Sequence, residues 1–365
     1  MKIDKKLTTL IPLEEIEQGA QDQIWYIHSL DFCNKETIMP DIHKGYTMPI
    51  GGVALFDNVV SPACVGYDIH CGMSCVITDT LYDDIIKDNK MEREIFNKVS
   101  SKLLKVEHNE GTEWTRDFED DFMPNNEVEK IDNRFKYQLG TLGGGNHFIE
   151  IGKNQDGFLS VVVHSGSRNG GWKIADWYMK KASKGLPVGF LYSDSALGEQ
   201  YIRNISFASD FTYKSRKTMI DFVLETIGIT KRWRPINEHH NSIEVTKNGI
   251  IHRKGATPAY KDQIGVIPGN MRDGTFITMG LGNEDYLCSS SHGAGRVGSR
   301  NWATKNLSLD DFKEQMDGIV ANVFKGTLNE SPGAYKDINR VMELQEGIVV
   351  NTIDHITPKI NIKGK

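Results

Sequence analysis

The chain lacks any long apolar run. No stretch of its 365 residues approaches 18 consecutive apolar side chains, so no membrane-spanning helix is expected. The segment from Met1 to Ala20 carries charges throughout and has no apolar h-region, so no secretory leader is visible. Cysteine is scarce: Cys33, Cys64, Cys71, Cys75 and Cys288 form an odd set scattered over a large chain. That argues against a disulfide framework and for a reducing, cytoplasmic setting, where each thiol is a core filler, a metal ligand or a nucleophile. Basic charge is not in excess either. Lys and Arg number 43 against 49 Asp and Glu, a net charge of −6. Non-specific duplex binding is therefore a poor candidate for the main task, although a local basic groove is not excluded. Part of the acid excess lies in residues 117–129, including Glu119, Asp120 and Asp121, and such a run reads as a solvated loop. Repeats, low-complexity tracts and Pro/Gly/Ser-rich linkers are missing, so nothing divides the chain and one domain over residues 1–365 is expected.

What is present is a composition of 39 % hydrophobic and 25 % charged residues with 35 glycines, that of a globular protein with a large core. Short apolar runs alternate with glycine turns: Gly51 to Phe56, Val59 to Val60 and Met73 to Thr78 read as strands. So do the β-branched run Val161–Val163 and the segment Thr275 to Leu281. Met91 to Val106 has helical spacing, with Ile95, Val99, Leu103 and Val106 on one face. Trp172 to Ser183 and Ala196 to Ile227 read as helices, the latter admitting a break. Leu309 to Phe324 reads as a helix capped by Ser308. Ile243 to Ile251 reads as a hairpin around Asn248-Gly249. The mixture predicts an α+β fold with strands ending in polar loops.

The chemistry-bearing residues sit at those strand ends, in glycine-rich company. Met39-Pro40-Asp41-Ile42-His43 places a carboxylate and an imidazole two apart, on one face of an extended segment or in a hydrogen-bonded turn. In Gly66-Tyr67-Asp68-Ile69-His70-Cys71-Gly72, Asp68 and Cys71 stand three apart beside glycines that let the backbone turn. They could grip one metal, and a thiolate can bridge two. Mixed oxygen, nitrogen and sulfur ligation suits Mn²⁺, Fe²⁺, Co²⁺ or Zn²⁺ more than Mg²⁺ or Ca²⁺. Taken alone, Cys71 could equally be a buried core thiol. Asn146-His147 closes the turn Gly140-Thr141-Leu142-Gly143-Gly144-Gly145 and enters a strand. That turn is neither a Walker loop nor a dinucleotide fingerprint. The Val161–Val163 strand delivers His164 at its tip, followed by Ser165-Gly166-Ser167-Arg168, a plausible anion-binding mouth. In Asn237-Glu238-His239-His240, adjacent histidines on extended chain point to opposite sides, so one of them would reach a given metal. Asp68, Cys71, His147, His164 and His240 thus make a candidate metal set, dispersed in sequence as catalytic sites are. A sixth segment, Cys288-Ser289-Ser290-Ser291-His292-Gly293-Ala294-Gly295-Arg296-Val297-Gly298-Ser299-Arg300, sets a histidine between serines and glycines with two arginines beyond. His292 could be a nucleophile toward phosphorus, with Arg296 and Arg300 neutralising developing charge, or the run could be a serine-capped helix start.

These segments, in this order, resemble the RtcB family of 3′-phosphate RNA ligases. The blocks MPDIHKGYTMPIGG, VGYDIHCGM, LGGGNHFIEI with VVVHSGSR, and GLGNEDYLCSSSHGAGRVGSR carry the resemblance, which runs from Met39 to Lys363. It implies an α+β domain with a mixed, sandwich-like sheet core flanked by helices and a metal site at strand ends. It implies that Cys71 bridges two Mn²⁺ ions, one also held by Asp68 and His147, the other by His164 and His240. His292 would be guanylylated by GTP. Asn146 would contact GTP phosphates, Glu150, Tyr335 and Lys363 would hold the guanine, and Arg168 would help bind RNA phosphate. The implied partner is RNA with 3′-phosphate or 2′,3′-cyclic phosphate and 5′-hydroxyl ends; a helper of the archease kind is conceivable, a membrane is not. Two departures stand out. Asn270 occupies a position where many members have serine, altering a contact to GTP, and His70 before Cys71 is unusual. The alternatives are a dinuclear metal phosphohydrolase without a guanylate intermediate, a guanylyltransferase that caps 3′-phosphate ends, and a non-catalytic sensor. A lysine-based nucleotidyltransferase is disfavoured because no Lys-x-Asp-Gly segment exists; Arg272-Asp273-Gly274 lacks the lysine.

Overall fold

The computed structural model describes residues 1–104 and 137–364. The acidic run at 117–129 and Val106 lie outside the described residues.

Two sheets carry the architecture. In the first, Leu7–Thr9 lies parallel beside Cys33–His43, and Ile50–Phe56, Gly249–Lys254 and Asn241–Thr246 follow antiparallel. The second runs in the order Ile264–Pro268, Thr275–Gly280, Val350–Lys363, Phe148–Lys153, Phe158–Ser165, Gly72–Leu81, Ile236–His239, with antiparallel neighbours along that path. Val320–Ala321 adds a short parallel pairing to Val350–Lys363. The two ends of this sheet approach one another: the Glu238 carboxylate accepts from the Val266 N–H at 3.0 Å and from Gln263 Nε2 at 3.2 Å. The sheet therefore curls toward a barrel.

The β-branched run at 161–163 shows why both faces of this sheet are dry. Val161 and Val163 point into one apolar cluster, where they meet the helices Asn89–Leu103 and Ala196–Ile227 through Ile95, Val99, Leu103, Met219 and Val223. Val162 points the other way, inside the curl, with Met73, Cys75, Phe148, Val266, Ile277 and Ile356. Alternation puts successive side chains on opposite faces, so a strand covered on both sides must be apolar continuously. The α+β class with a sheet core flanked by helices is what the fold has.

Local signals explain most boundaries. Asn89–Leu103 starts where the Asp88 side chain accepts from the Met91 N–H at 2.9 Å. Ala196–Ile227 is one unbroken helix of 32 residues, not a broken one. Its start is capped by Ser195, no glycine or proline falls between Glu199 and Ile227, and Gly228 ends it at φ +95°. The hairpin is one residue out of the expected frame: Thr246 pairs with Gly249, so Lys247-Asn248 is the two-residue turn. Gly249 sits at φ +129°, and a Cβ there would lie 2.4 Å from the Phe56 carbonyl oxygen, so the glycine serves close approach as well as turning.

Two helices differ from the spacing-based reading. The helix expected from Trp172 begins four residues earlier, as Arg168–Met179, because the Ser167 N–H and hydroxyl are both held by Asp68 Oδ1, which anchors its first turn. The helix expected from Leu309 to Phe324 is only Leu309–Gln315. Ser308 does cap it, accepting from Asp310 and Asp311, but Gly318 at φ +76° ends the turn and Val320–Ala321 leaves to pair with the second sheet. Strand pairing there outweighs helical spacing.

Candidate active site

Four strands of the second sheet and the loops beside them converge around the Cys71 thiol. Cys71 precedes Gly72–Leu81; His147 immediately precedes Phe148–Lys153; His164 lies near the end of Phe158–Ser165; His240 follows Ile236–His239. Cys71 Sγ stands 3.4 Å from His147 Nε2 and 3.2 Å from His164 Nε2. His147 Nε2 is 3.0 Å from Asp68 Oδ2, and His164 Nε2 is 3.4 Å from His240 Nε2. Two triads result, Asp68–Cys71–His147 and Cys71–His164–His240, sharing the thiol, each with its ligand atoms within 4.8 Å of one another.

Hydrogen bonding on the far side of the rings tells which nitrogen faces inward. His147 Nδ1 lies 3.0 Å from the Leu142 carbonyl and His164 Nδ1 3.2 Å from the Asn146 carbonyl. A carbonyl only accepts, so both Nδ1 atoms carry the proton and both Nε2 lone pairs point at the thiol. Lone pairs, a sulfur and a carboxylate facing one another at these distances repel unless a cation lies between them. The donor set fits a pair of divalent ions of the first transition row. Burial, reinforced by neighbouring histidines, keeps His164 and His240 well below the ordinary imidazole range, so they are neutral ligands at pH 7. Burial and the adjacent Asp68 raise the Cys71 thiol. Gly166 belongs to this packing, since a Cβ there would fall 2.0 Å from Asp68 Oδ1.

His239 and His240 part as adjacent residues on extended chain must. His240 joins the cluster; His239 turns away to the Ser209 hydroxyl, the His70 ring and Arg216. Arg216, fully buried on the Ala196–Ile227 helix, is a residue that the sequence reading missed. Its Nη1 donates to the carbonyls of His70 at 3.3 Å and Ser165 at 2.7 Å, its Nη2 lies 3.2 Å from His239 Nδ1, and its Nε donates to Ser74 at 3.0 Å. His70, Ser165 and His239 are the chain neighbours of Cys71, His164 and His240. One guanidinium thus ties together the chain neighbours of all three members of the second triad, two through backbone carbonyls and His239 through its ring.

His292 follows the strand Ser289–Ser291, so the serine run is not a helix cap; that role belongs to Ser299, ahead of Arg300–Asn306. The His292 ring meets His240 edge to face with centroids 4.7 Å apart. Its Nδ1 is 2.6 Å from Asp41 Oδ2, and its backbone N–H donates to the same oxygen at 3.2 Å. Asp41 is wholly buried. The carboxylate accepts the Nδ1–H hydrogen bond, which leaves the Nε2 lone pair facing away from it. Asp41 was singled out in the sequence beside His43; the structure shows its partner to be His292, from 251 residues away. Only its Asp-x-His setting signalled it.

The remaining expected site residues form a second group. Arg296 Nη1 and Arg300 Nε lie 3.1 and 3.2 Å from Glu330 Oε1, Lys363 Nζ lies 3.6 Å from Glu330 Oε2, and the Tyr335 hydroxyl donates to Glu330. Glu330, which no motif flagged, is the hub; burial opposes its ionisation, but Lys363 and Arg296 hold it below the usual carboxylate range. Lys363 Nζ also donates to the Asn146 carbonyl at 3.3 Å, joining this group to the metal-ligand cluster. Asn270 is occupied by its own turn: its amide donates to Asp273 and its oxygen accepts from the Arg272 and Asp273 N–H groups. Glu150 is buried, accepts from Thr275 at 2.9 Å and is pushed up to about 8 by burial. Arg168 is held at φ +55°, and its Nε has no partner in the described structure.

A cavity of about 990 Å³ opens over both groups. Asp68, Cys71, His164, His240 and His292 line it, as do Asn146, Asn270, Arg296, Arg300, Tyr335 and Lys363. His147, Glu150 and Arg168 are not among its lining residues. Ligand pockets commonly measure roughly 300–1,000 Å³, so this one has room for a nucleotide and a further group.

Fold and site define an α+β protein whose curled sheet gathers a thiol-centred cluster of candidate metal ligands against a histidine held by a buried carboxylate. The chain belongs to the RtcB family: the family model described as tRNA-splicing ligase RtcB matches residues 23–364. It is 29 % identical to the RNA-splicing ligase RtcB of Escherichia coli over 92 % of this chain and 91 % of that protein. Similar likeness extends to the tRNA-splicing ligases RtcB of Thermococcus kodakarensis, 29 % identical over 90 % of this chain and 87 % of that one, and of Nanoarchaeum equitans, 30 % identical over the same shares. No helix among the described residues is long and apolar enough to cross a membrane.

Proposed function

We propose that this protein is a GTP-dependent RNA ligase that joins a 3′-phosphate or 2′,3′-cyclic phosphate end to a 5′-hydroxyl end through a guanylylated His292. The observation that carries the reading is the His292 ring itself. Its Nδ1 is committed to the buried Asp41, and the ring abuts His240 of the metal-ligand cluster. An imidazole held through Nδ1 by a buried carboxylate, with Nε2 free of hydrogen-bond partners among the described residues, at the wall of a nucleotide-sized cavity is a nucleophile waiting for an electrophile. The printed names of the relatives, RNA-splicing and tRNA-splicing ligase, support RNA as the substrate class.

The reaction runs in three transfers. His292 Nε2 attacks the α-phosphorus of GTP, a P–N bond forms, and pyrophosphate leaves. An oxygen of the RNA 3′-phosphate then attacks the same phosphorus, freeing His292 and leaving the RNA end joined to GMP through a pyrophosphate bond. The 5′-hydroxyl finally attacks the RNA 3′-phosphorus and GMP departs. A cyclic phosphate would first be opened by water. Asp41 stabilises the imidazolium character that develops on His292 as the P–N bond forms and breaks. Two Mn²⁺ ions, held by the Asp68–Cys71–His147 and Cys71–His164–His240 sets, would activate the attacking group and neutralise phosphoryl oxygens. Asn146 would face the GTP phosphates. The Glu330 group would frame the guanine through Tyr335 and Lys363, with Glu150 behind it, and Arg168, Arg296 and Arg300 would offer charge to phosphate. Asn270, tied into its own turn, would present backbone rather than side chain.

Incubation with α-labelled GTP and Mn²⁺ should label the protein through an acid-labile phosphoramidate, and His292→Ala should abolish the label. Label that survives in this variant rejects His292 as nucleophile. Absence of label in the wild-type protein carrying both metals favours the phosphohydrolase.

A further inference from the structure

The same cavity has a side that the reaction above does not use. It is also lined by Tyr46, Tyr67 and Trp172, with Lys44, Lys254 and Glu17. The three aromatic rings form a continuous row. Tyr67 lies parallel to Trp172, centroids 5.9 Å apart at an interplanar angle of 19°, and Tyr46 meets Tyr67 edge to face at 5.8 Å. They come from three separate places: Tyr46 from the loop after Cys33–His43, Tyr67 from the segment before Cys71, and Trp172 from the Arg168–Met179 helix. Large aromatic side chains ordinarily bury their faces. Here Tyr46 is 75 % exposed and Trp172 48 % exposed among the described residues.

The Tyr46 loop is nevertheless held in place. The Lys44 N–H donates to Glu17 Oε1 at 2.7 Å, the Gly45 N–H donates to Gln23 Oε1 at 2.9 Å, and the Gln23 amide donates back to the Tyr46 carbonyl. Tyr67 is the chain neighbour of Asp68, a member of the first triad. Trp172 stands four residues beyond Arg168 on one helix, so the two share a face. Lys254 Nζ is 5.8 Å from the Tyr46 ring centre. Lys44 and Lys254 bring positive charge to the aromatic rings, with Glu17 and Asp68 as the nearby acids.

We infer that Tyr46, Tyr67 and Trp172 form a stacking platform for the base of a terminal RNA nucleotide, placing that nucleotide's reacting end over Asp68 and Cys71. Ordered, exposed π-faces beside positive charge are the features by which single strands are held without regard to sequence. An aliphatic ligand would need no flat row, and a protein partner would not need the row to run into the metal-ligand cluster. The inference rests on reading the cavity as a site for RNA ends. It adds which residues hold the base, and it predicts tolerance of base identity.

The test uses the full-length protein with Mn²⁺ and no GTP, so that it does not depend on guanylylation. Binding is measured by fluorescence anisotropy with two short single-stranded RNAs, one ending in 5′-hydroxyl and one in 3′-phosphate, each dye-labelled at its other end. Each is compared with a copy lacking the base of the reacting nucleotide. Trp172→Ala and Tyr46→Ala should weaken binding of at least one RNA about tenfold or more, and Trp172→Phe should restore most of it. The RNA that responds identifies the end that stacks, and its abasic copy should bind the wild-type protein as weakly as the intact RNA binds the variants. Exchange among the four bases at that nucleotide should change affinity only a few-fold. Tyr46, exposed on its loop, keeps the test open should Trp172→Ala fail to fold. Unchanged affinity of both RNAs in folded Tyr46→Ala and Trp172→Ala, or equal losses for intact and abasic RNA, overturns the proposal. GTP labelling of the wild-type protein separately decides whether the ligase reading stands.

Discussion

At the scale of single residues, Cys71 is the atom on which the site turns. Its sulfur belongs to both ligand triads, whereas every other ligand belongs to one. Cys71→Ala should therefore lose both metals together, read by elemental analysis after gel filtration; retention of two ions per chain would refute a bridging thiol. His147→Ala should instead spare the Cys71–His164–His240 triad and leave about one ion bound. The same scale shows what a short motif can and cannot reveal. Asp68 and Cys71 announced themselves because they stand three apart among glycines. Glu330 sits in an ordinary Leu328-Asn329-Glu330-Ser331 stretch, yet it gathers Arg296, Arg300, Tyr335 and Lys363. Its importance is a property of where those four side chains end up, which no local pattern encodes.

Among elements, the long helix Ala196–Ile227 acts on the site without lining the cavity. Through Arg216 it fastens the three segments that deliver Cys71, His164 and His240. Burial lowers the Arg216 guanidinium to about 10, opposed by the nearby Cys71 and Asp68, so it remains charged at pH 7. Removing it takes the guanidinium donor from the buried Ser165 and His70 carbonyls, the latter still 3.1 Å from His239 Nδ1; a stranded buried acceptor costs about 1–3 kcal/mol. Arg216→Met should destabilise the chain by a few kcal/mol. In the protein that remains folded, metal affinity should fall roughly 10–100-fold, as for other residues that orient ligands. Titration with Co²⁺, followed by the thiolate charge-transfer band, would read that loss; Arg216→Lys should recover only part, since one ammonium cannot reach all the partners. An unaltered Co²⁺ spectrum and affinity would make Arg216 merely structural. Element boundaries were legible where capping and turn chemistry set them, as for Ala196–Ile227 between Ser195 and Gly228; the Asp88 cap was missed, and its helix starts two residues before the expected Met91. Boundaries were misread where tertiary pairing decided, as at Val320–Ala321, which left its helical pattern to join a sheet.

For the molecule as a whole, stability against pH carries the mark of Glu36, a wholly buried carboxyl on the Cys33–His43 strand whose two oxygens have no hydrogen-bond partner in the described structure. Burial first, and Asp4 second, raise it well above the usual range, so it stays protonated in the folded protein. In the unfolded chain it ionises near 4.5. Between that value and its folded one the native state binds the extra proton, so stability falls as pH rises through this window. Glu36→Gln removes the titrating group while keeping its shape. Its urea midpoint relative to wild type should therefore climb from pH 5 to pH 8; a difference that does not vary with pH would show Glu36 ionising alike in both states. We propose that the described residues belong to one cooperative domain, in which case this slope appears in a single unfolding transition.

The order of residues along the chain by itself determined the α+β class, several of the strands, the candidate ligands and the candidate nucleophile. Each of these rests on a local rule: period-two apolarity, a turn dipeptide, or a metal-binding side chain beside a glycine. It also determined that one of two adjacent histidines would face inward, because extended chain alternates. Only the tertiary structure decided that Asp41 serves His292, that Arg216 and Glu330 are the two hubs, and that Tyr46, Tyr67 and Trp172 stand in one row. Those pairings join residues from distant segments. They come into being when a sheet curls until its two edges nearly meet, and that curvature is a collective outcome of packing on both faces.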